Sequence, residues 1–394
     1  MNKRDIVVLT CVLAAGSVCA GLYCQGPDAR HAWAIHDRNR PNPVKVEAPE
    51  GRPPSDAVVL FDGTRASADR NWYTGRDGTC RWEVVEGALR CAPKTGNAVT
   101  RRVFADCQLH LEWKTPKPAT GWGQGRGNSG VILFGGYEIQ VLDSYLTDPS
   151  KTPNPNPNYA DGQAGAVYAQ NPPLVNPARP EGAWQSYDIV FHAPVWDGDT
   201  LVKGPTVTLF FNGVLVQDNW EFEGSTYNLE RKPVQKGAAR YPIQLQDHGT
   251  PVAYRNIWVR EIPSVYANTV QGGPGVKAAD VLALREKTAA RLFARLAPDA
   301  ADVPALDALL EILAYSKDAK YVARYDRAAA AFVASTASWD DAALRRHEGL
   351  VRAFEKSCGL LVKYGTLAAD DAFVRRVRAL AARLSHMKAS TKHD

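Results

Sequence analysis

The apolar residues of this chain change their period at residue 275. Before that point they come in short runs broken by Gly, Pro, Asn or Asp; from residue 276 they recur three and four positions apart. A chain divided in this way is expected to fold as two units of different class, the first rich in strands and the second helical. The composition divides at the same place. Of 26 Pro only Pro298 and Pro304 lie beyond 276, and of 10 Trp only Trp339, whereas 30 Ala fall in the last 119 residues. The net charge of +5 also belongs to the second part, which holds 20 Lys and Arg against 15 Asp and Glu; the first part holds 27 of each. A neutral larger part argues against a basic nucleic-acid-binding domain. A 45% hydrophobic content with 10 Trp and 15 Tyr excludes a wholly disordered chain.

Lys3 and Arg4 precede an apolar stretch over residues 6–22 that ends in small residues around Ala20. This is the pattern of a secretory signal cleaved after Ala20, with an uncleaved anchor or a lipid attached at Cys19 or Cys24 as alternatives. Each places the chain outside the cytoplasm, in the periplasm or at the cell surface. Cys80 and Cys91 flank a strand, a Glu86-Gly87 turn and a second strand, so that a bridge between them is conceivable in an oxidising compartment. The Cys and His spacing gives no structural zinc motif.

The expected organisation is a signal over 1–20, a Pro-rich linker over 21–56, an all-β jelly-roll sandwich over 57–263, a Gly-rich linker over 264–275 and a small helical bundle over 276–390. Strand signals fall at 57–61, 107–113, 130–134, 137–142, 166–169, 184–191, 206–211, 214–217, 243–246 and 254–262. In the bundle, Asp340 and Asp341 read as a helix start and Gly365 as a stop.

Alternation along the strands puts unusual polar groups on one face. Glu138 and Gln140 oppose Ile139 and Val141; Gln244, Gln246 and His248 oppose Ile243 and Leu245; His110, Glu112 and Lys114 share a third face. Planar polar groups beside aromatic rings suit a sugar, whose hydroxyls they bind while the rings cover its CH faces. Trp122, Tyr137, Tyr168, Trp184 and Tyr187 are the available rings. Pairing of Glu138 and Gln140 with residues of neighbouring strands, and capping of a turn by His248, would account for the same residues without any site.

The blocks Asn128-Ser129-Gly130-Val131, Tyr137-Glu138-Ile139-Gln140-Val141-Leu142-Asp143-Ser144-Tyr145, Tyr159-Ala160-Asp161-Gly162-Gln163-Ala164-Gly165, Trp184-Gln185-Ser186-Tyr187-Asp188 and Leu245-Gln246-Asp247-His248-Gly249 follow in this order. With Tyr254-Arg255-Asn256-Ile257-Trp258 they closely resemble the bacterial 3-keto-disaccharide hydrolase family over about residues 58–262. The resemblance implies a concanavalin-like jelly roll that cleaves glycosides whose sugar has been oxidised at C3, with a separate dehydrogenase acting upstream. Two positions depart from the family pattern: Phe211 stands where a His is usual, and Gly136 where an Arg is frequent.

A ketone at C3 acidifies the C2 proton, so a single base of suitable pKa and a group that holds the enolate would suffice for β-elimination, with or without rehydration of the glycal. The expected base is His248, oriented by Asp247 or Asp143, with Glu138 as its competitor. Asn128, Gln140, Tyr168, Trp184, Gln246 and Arg255 are expected to bind the oxidised sugar. A divalent metal ion held by Glu138, Asp143 and His248 is a further possibility. A non-catalytic lectin-like module, and an adaptor acting through protein contacts of its helical bundle, are the alternatives to an enzyme.

Overall fold

The computed structural model describes residues 27–390, so the apolar stretch read as a signal lies outside the described residues. Among those described, no helix is long and apolar enough to cross a membrane. Two compact units emerge: residues 44–264 form one, and the other combines the segment up to Pro43 with the chain from Val265 onward.

The first unit is a sandwich of antiparallel sheets. The larger sheet runs in the order Val214–Glu221, Thr206–Phe211, Gln185–His192, Cys107–Lys114, Ala253–Glu261, Ala88–Arg90 and Glu83–Val85, with Val58–Phe61 also paired to Ala253–Glu261. The smaller sheet runs Trp72–Tyr73, Ala98–Phe104, Tyr241–Leu245, Ser129–Leu133 and Tyr137–Val141. Alternation explains the packing. Along Cys107–Lys114 every odd residue is buried, and Leu109, Leu111 and Trp113 meet Val131, Leu133, Ile139, Ile243 and Leu245 of the smaller sheet in one core. A hydrogen bond of 2.7 Å between the Ser129 and Tyr254 hydroxyls crosses that core. Because the inner faces meet, the outer faces of the two sheets point in opposite directions.

The hairpin between Cys80 and Cys91 forms as its sequence requires, with Glu86 at φ 51° and Gly87 at φ 72° making the tight turn. Both cysteines remain free and buried. The register pairs Glu83 with Arg90, so Cys91 falls opposite Trp82 rather than Cys80. The stretch 166–169 does not become a strand. It touches Tyr137–Val141 through a single Ile139–Val167 bridge, and Ala169 at φ 59° turns the chain away.

In the second unit Val303–Tyr315, Ala319–Thr336, Glu348–Lys363 and Ala372–Ser390 bury one apolar face each, and Leu306, Leu310, Tyr321, Phe332, Phe354 and Phe373 form the core. Asp302, Asp318 and Asp340 cap helix starts through their side chains, the last at the start read from the sequence. One expectation is corrected here. Part of the Pro-rich stretch read as a linker is folded: Ala32, Trp33 and Ala34 are buried in the helical core. Asn39 donates to the Tyr315 hydroxyl at 3.2 Å, and that hydroxyl also donates to Asp37. Burial of these residues and the hydrogen bonds of Asp37 and Asn39 tie the segment to the helices.

Candidate active site

Strand Tyr137–Val141 is buried on both faces. Tyr137, Ile139 and Val141 belong to the core, so the burial of Glu138 and Gln140 on the outer face requires a cover. Residues 159–170 supply it. The Gln140 amide donates to the Ala166 carbonyl, the Tyr168 amide to the Glu138 carbonyl, and the Gly165 amide to the Gln140 carbonyl. With Ile139 opposite Val167, Tyr168 is the cross-strand neighbour of Glu138 and projects on its face.

Glu138 is 8% exposed and lies across Gly130 of the neighbouring strand, where a Cβ would stand 2.1 Å from its Oε1. Burial pushes its carboxyl up to about 7, against a hydrogen bond from the Gln246 side chain that acts the other way. The other end of the Gln246 amide, Oε1, is buried without a partner. Around this pair the amides lock one another. Gln140 Nε2 donates to Asn128 Oδ1 at 3.1 Å, Asn128 Nδ2 to the Gln124 carbonyl at 2.8 Å, and Gln124 Nε2 to the Gly162 carbonyl at 2.6 Å. The Tyr168 hydroxyl lies 3.1 Å from that of Tyr159. Trp122 and Tyr159, on the loops that carry these contacts, are 60% and 46% exposed.

The structure thus brings together Asn128, Glu138, Gln140, Tyr168 and Gln246, and separates the other expected residues from them. Asp143 pairs at 2.8 Å with Arg126, whose other branch holds Glu181 at 2.8 Å; it braces the loop leading to Asn128. Asp247 does not orient His248. It accepts from the backbone amides of Gly249 and Gly96, both at 3.0 Å. Burial acts to raise its pKa, but these amides outweigh it and hold the carboxyl below the usual range. His248 itself lies exposed in the following loop. Among the described residues no group of three or more His, Cys, Asp or Glu is placed to hold a metal ion, so Glu138, Asp143 and His248 do not form the ligand set considered above.

Trp184 and Arg255 lie on the outer face of the larger sheet. The Arg255 guanidinium sits 4.0 Å over the Trp184 ring and its Nε donates to Glu112 at 2.7 Å. His110 stacks on Trp258 and pairs with Asp188 at 2.7 Å on the same face. Alternation identifies outward residues on every strand, but not which sheet a strand joins. Tyr137 and Tyr187 are core residues. Gln124 and Tyr159 were not expected. Gln124 sits in the run Gly121-Trp122-Gly123-Gln124-Gly125-Arg126-Gly127, where glycines at φ 90°, 51° and 62° present polar side chains from a folded-over loop, and that run was the available signal.

A family model described as the 3-keto-alpha-glucoside-1,2-lyase-like domain matches residues 56–260, slightly over half of the chain. The chain belongs to this family. A crystal structure from Parabacteroides distasonis, provisionally designated a glycosyl hydrolase, is 39% identical, with 56% of this chain and 93% of that chain covered and a TM-score of 0.50. A second from the same organism and with the same designation is 20% identical over 52% of this chain and 94% of the other, at a TM-score of 0.38. An alginate lyase is 13% identical over 53% and 93%, at 0.28. No curated protein matches. The β unit of this family member is a carbohydrate-active, glycosyl-hydrolase-like sandwich, and the helical unit lies outside the matched residues. Phe211, one of the two departures from the family pattern, is fully buried against Trp113 and Tyr187, on the core side of the larger sheet. Gly136, the other, packs where a Cβ would stand 2.9 Å from Ser225 Oγ.

Proposed function

We propose that the β unit cleaves 3-keto-glycosides outside the cytoplasm by β-elimination, with Glu138 as the base. The observation that carries this reading is a carboxyl buried among amides, without a cation among its hydrogen-bond partners, whose pKa of about 7 suits proton transfer at neutral pH. A surface for binding alone has no use for such a group, since burying it costs stability; this favours an enzyme over a lectin-like module.

In the proposed reaction the Glu138 carboxylate takes the proton on C2, and the electron pair of that bond passes into the enolate of the C3 ketone. Gln246, already bonded to the carboxylate, has a second amide proton for the enolate oxygen. Collapse of the enolate forms the C1–C2 double bond and expels the glycosidic oxygen. Addition of water across that bond, with Glu138 returning a proton to C2, gives net hydrolysis. The substrate is an oxidised glycoside, so an oxidation at C3 by another enzyme precedes this step. No step is routed through a metal ion, because the residues considered for one are apart.

The test is turnover of para-nitrophenyl 3-keto-glucoside and of its unoxidised counterpart. Wild-type protein is expected to release nitrophenol from the oxidised compound alone, with a rate that rises with pH through about 7 as Glu138 ionises. Glu138→Gln is expected to lose about 1,000-fold or more, within the range for removal of a general base. His248→Ala, in the exposed loop, is expected to stay within about fivefold of wild type. Full activity of Glu138→Gln, or its loss in His248→Ala alone, would return the role of base to His248.

A further inference from the structure

The elimination needs more than a base. A sugar alkoxide is a poor leaving group, and its departure is assisted by a proton delivered to the glycosidic oxygen. Glu138 is spent on C2, and the nearby amides are weak acids that donate to one another. Two phenols bring acidic hydrogens to this face. Tyr168 is the cross-strand neighbour of Glu138, and its hydroxyl meets that of Tyr159 at 3.1 Å and lies 3.4 Å from Asn228 Oδ1. Tyr159 comes from the loop over the sheet. Its ring packs on Gly162, where a Cβ would stand 2.0 Å from the ring, and Gln124 holds the Gly162 carbonyl. A side chain larger than hydrogen at 162 would evict the ring, so the loop is shaped around this tyrosine. The residue is nonetheless 46% exposed, which leaves it open to a substrate.

We infer that Tyr159 is the acid that protonates the departing glycosidic oxygen, with the Tyr168 hydroxyl as its hydrogen-bonded support. This rests on the reading of Glu138 as the base. As the C1–O bond breaks, its electron pair goes to the oxygen, which takes the Tyr159 hydroxyl proton. Water then reprotonates the phenolate, and Glu138 gives its acquired proton to solvent, or back to C2 where water adds across the double bond, so both groups return to their starting state without any change of oxidation level. Burial, the hydrogen bond to Tyr168 and the charge of Glu138 all keep the Tyr159 phenol protonated at neutral pH, ready to donate.

Base and acid can be separated by experiment. With methyl and para-nitrophenyl 3-keto-α-glucosides in deuterated water, exchange at C2 reports the base, and alcohol release reports elimination. Tyr159→Phe is expected to exchange C2 within about threefold of wild type, which also shows that it is folded. It is expected to release methanol about 100-fold more slowly and nitrophenol, which departs without an acid, within about fivefold of wild type. Tyr168→Phe should show the same pattern, more weakly. Methanol release at the wild-type rate, equal losses on both compounds, or loss of C2 exchange in Tyr159→Phe would each overturn the assignment. Glu138→Gln is the separate control: C2 exchange that survives in it would overturn the reading of the base, whichever way Tyr159→Phe behaves.

Discussion

The cost of Glu138 is as informative as its position. Its carboxyl is charged more readily in the unfolded chain, near the ordinary value of 4.5, than in the fold, where burial raises it to about 7. A group raised in this way favours the native state when protonated. Its contribution is therefore fully present below about 4.5 and is lost as pH climbs to about 7, the difference corresponding to about 3 kcal/mol. Glu138→Gln keeps the shape and removes the titration. Thermal unfolding should then find the variant more stable than wild type at pH 8, with the gap closing as the pH falls toward 4.5. A variant no more stable than wild type at pH 8 would mean that the carboxylate is solvated in solution. Glu138 was legible in the sequence as an outward polar residue in an apolar strand. Its proposed preference over His248 as the base was not, because free imidazole titrates near neutrality by itself, and only the covering segment gives a carboxyl the same property.

At the scale of elements, the site is a strand pair and the loop folded across it. Strand Ser129–Leu133 supplies a floor without side chain at Gly130, strand Tyr137–Val141 supplies Glu138, and the turn after Tyr241–Leu245 supplies Gln246. Gly130→Ala would place a methyl 2.1 Å from Glu138 Oε1. The carboxylate, as the end of a flexible side chain, moves aside. Stability should change little while C2 exchange falls about 100-fold, the scale of a misplaced catalytic group; an unchanged exchange rate would show that the carboxylate does not need this seat. Alternation within each strand is legible in the amino-acid sequence, and so is the hairpin at Glu86-Gly87. The grouping of strands is not. His110, Glu112 and Arg255 read as companions of Glu138 because they alternate in the same way, but their strands belong to the larger sheet. Register and sheet membership depend on contacts between residues more than a hundred positions apart, about which a local pattern carries no information.

For the whole molecule, the expected order of domains becomes an insertion. The helical unit takes residues from both sides of the β unit, with Ala32, Trp33 and Ala34 in its core. A cut at residue 276 would strip the helices from a segment they bury, so residues 44–264 are the natural boundaries for an isolated β unit. Trp33→Ala should destabilise the helical unit by about 3 kcal/mol, the low end for a buried aromatic, measured as earlier loss of the helical dichroism. Turnover by the β unit should be unaffected; a joint loss would show that the two units unfold together. The sequence by itself determined the class of each unit, the helix start at Asp340 and the family, because periodicity, capping and ordered motifs are local properties of the chain. Tertiary structure alone decided which outward residues share a face, which carboxyl among them is buried, and that an N-terminal segment belongs to helices that begin more than two hundred residues later. Those outcomes depend on burial, which is a property of the packed molecule.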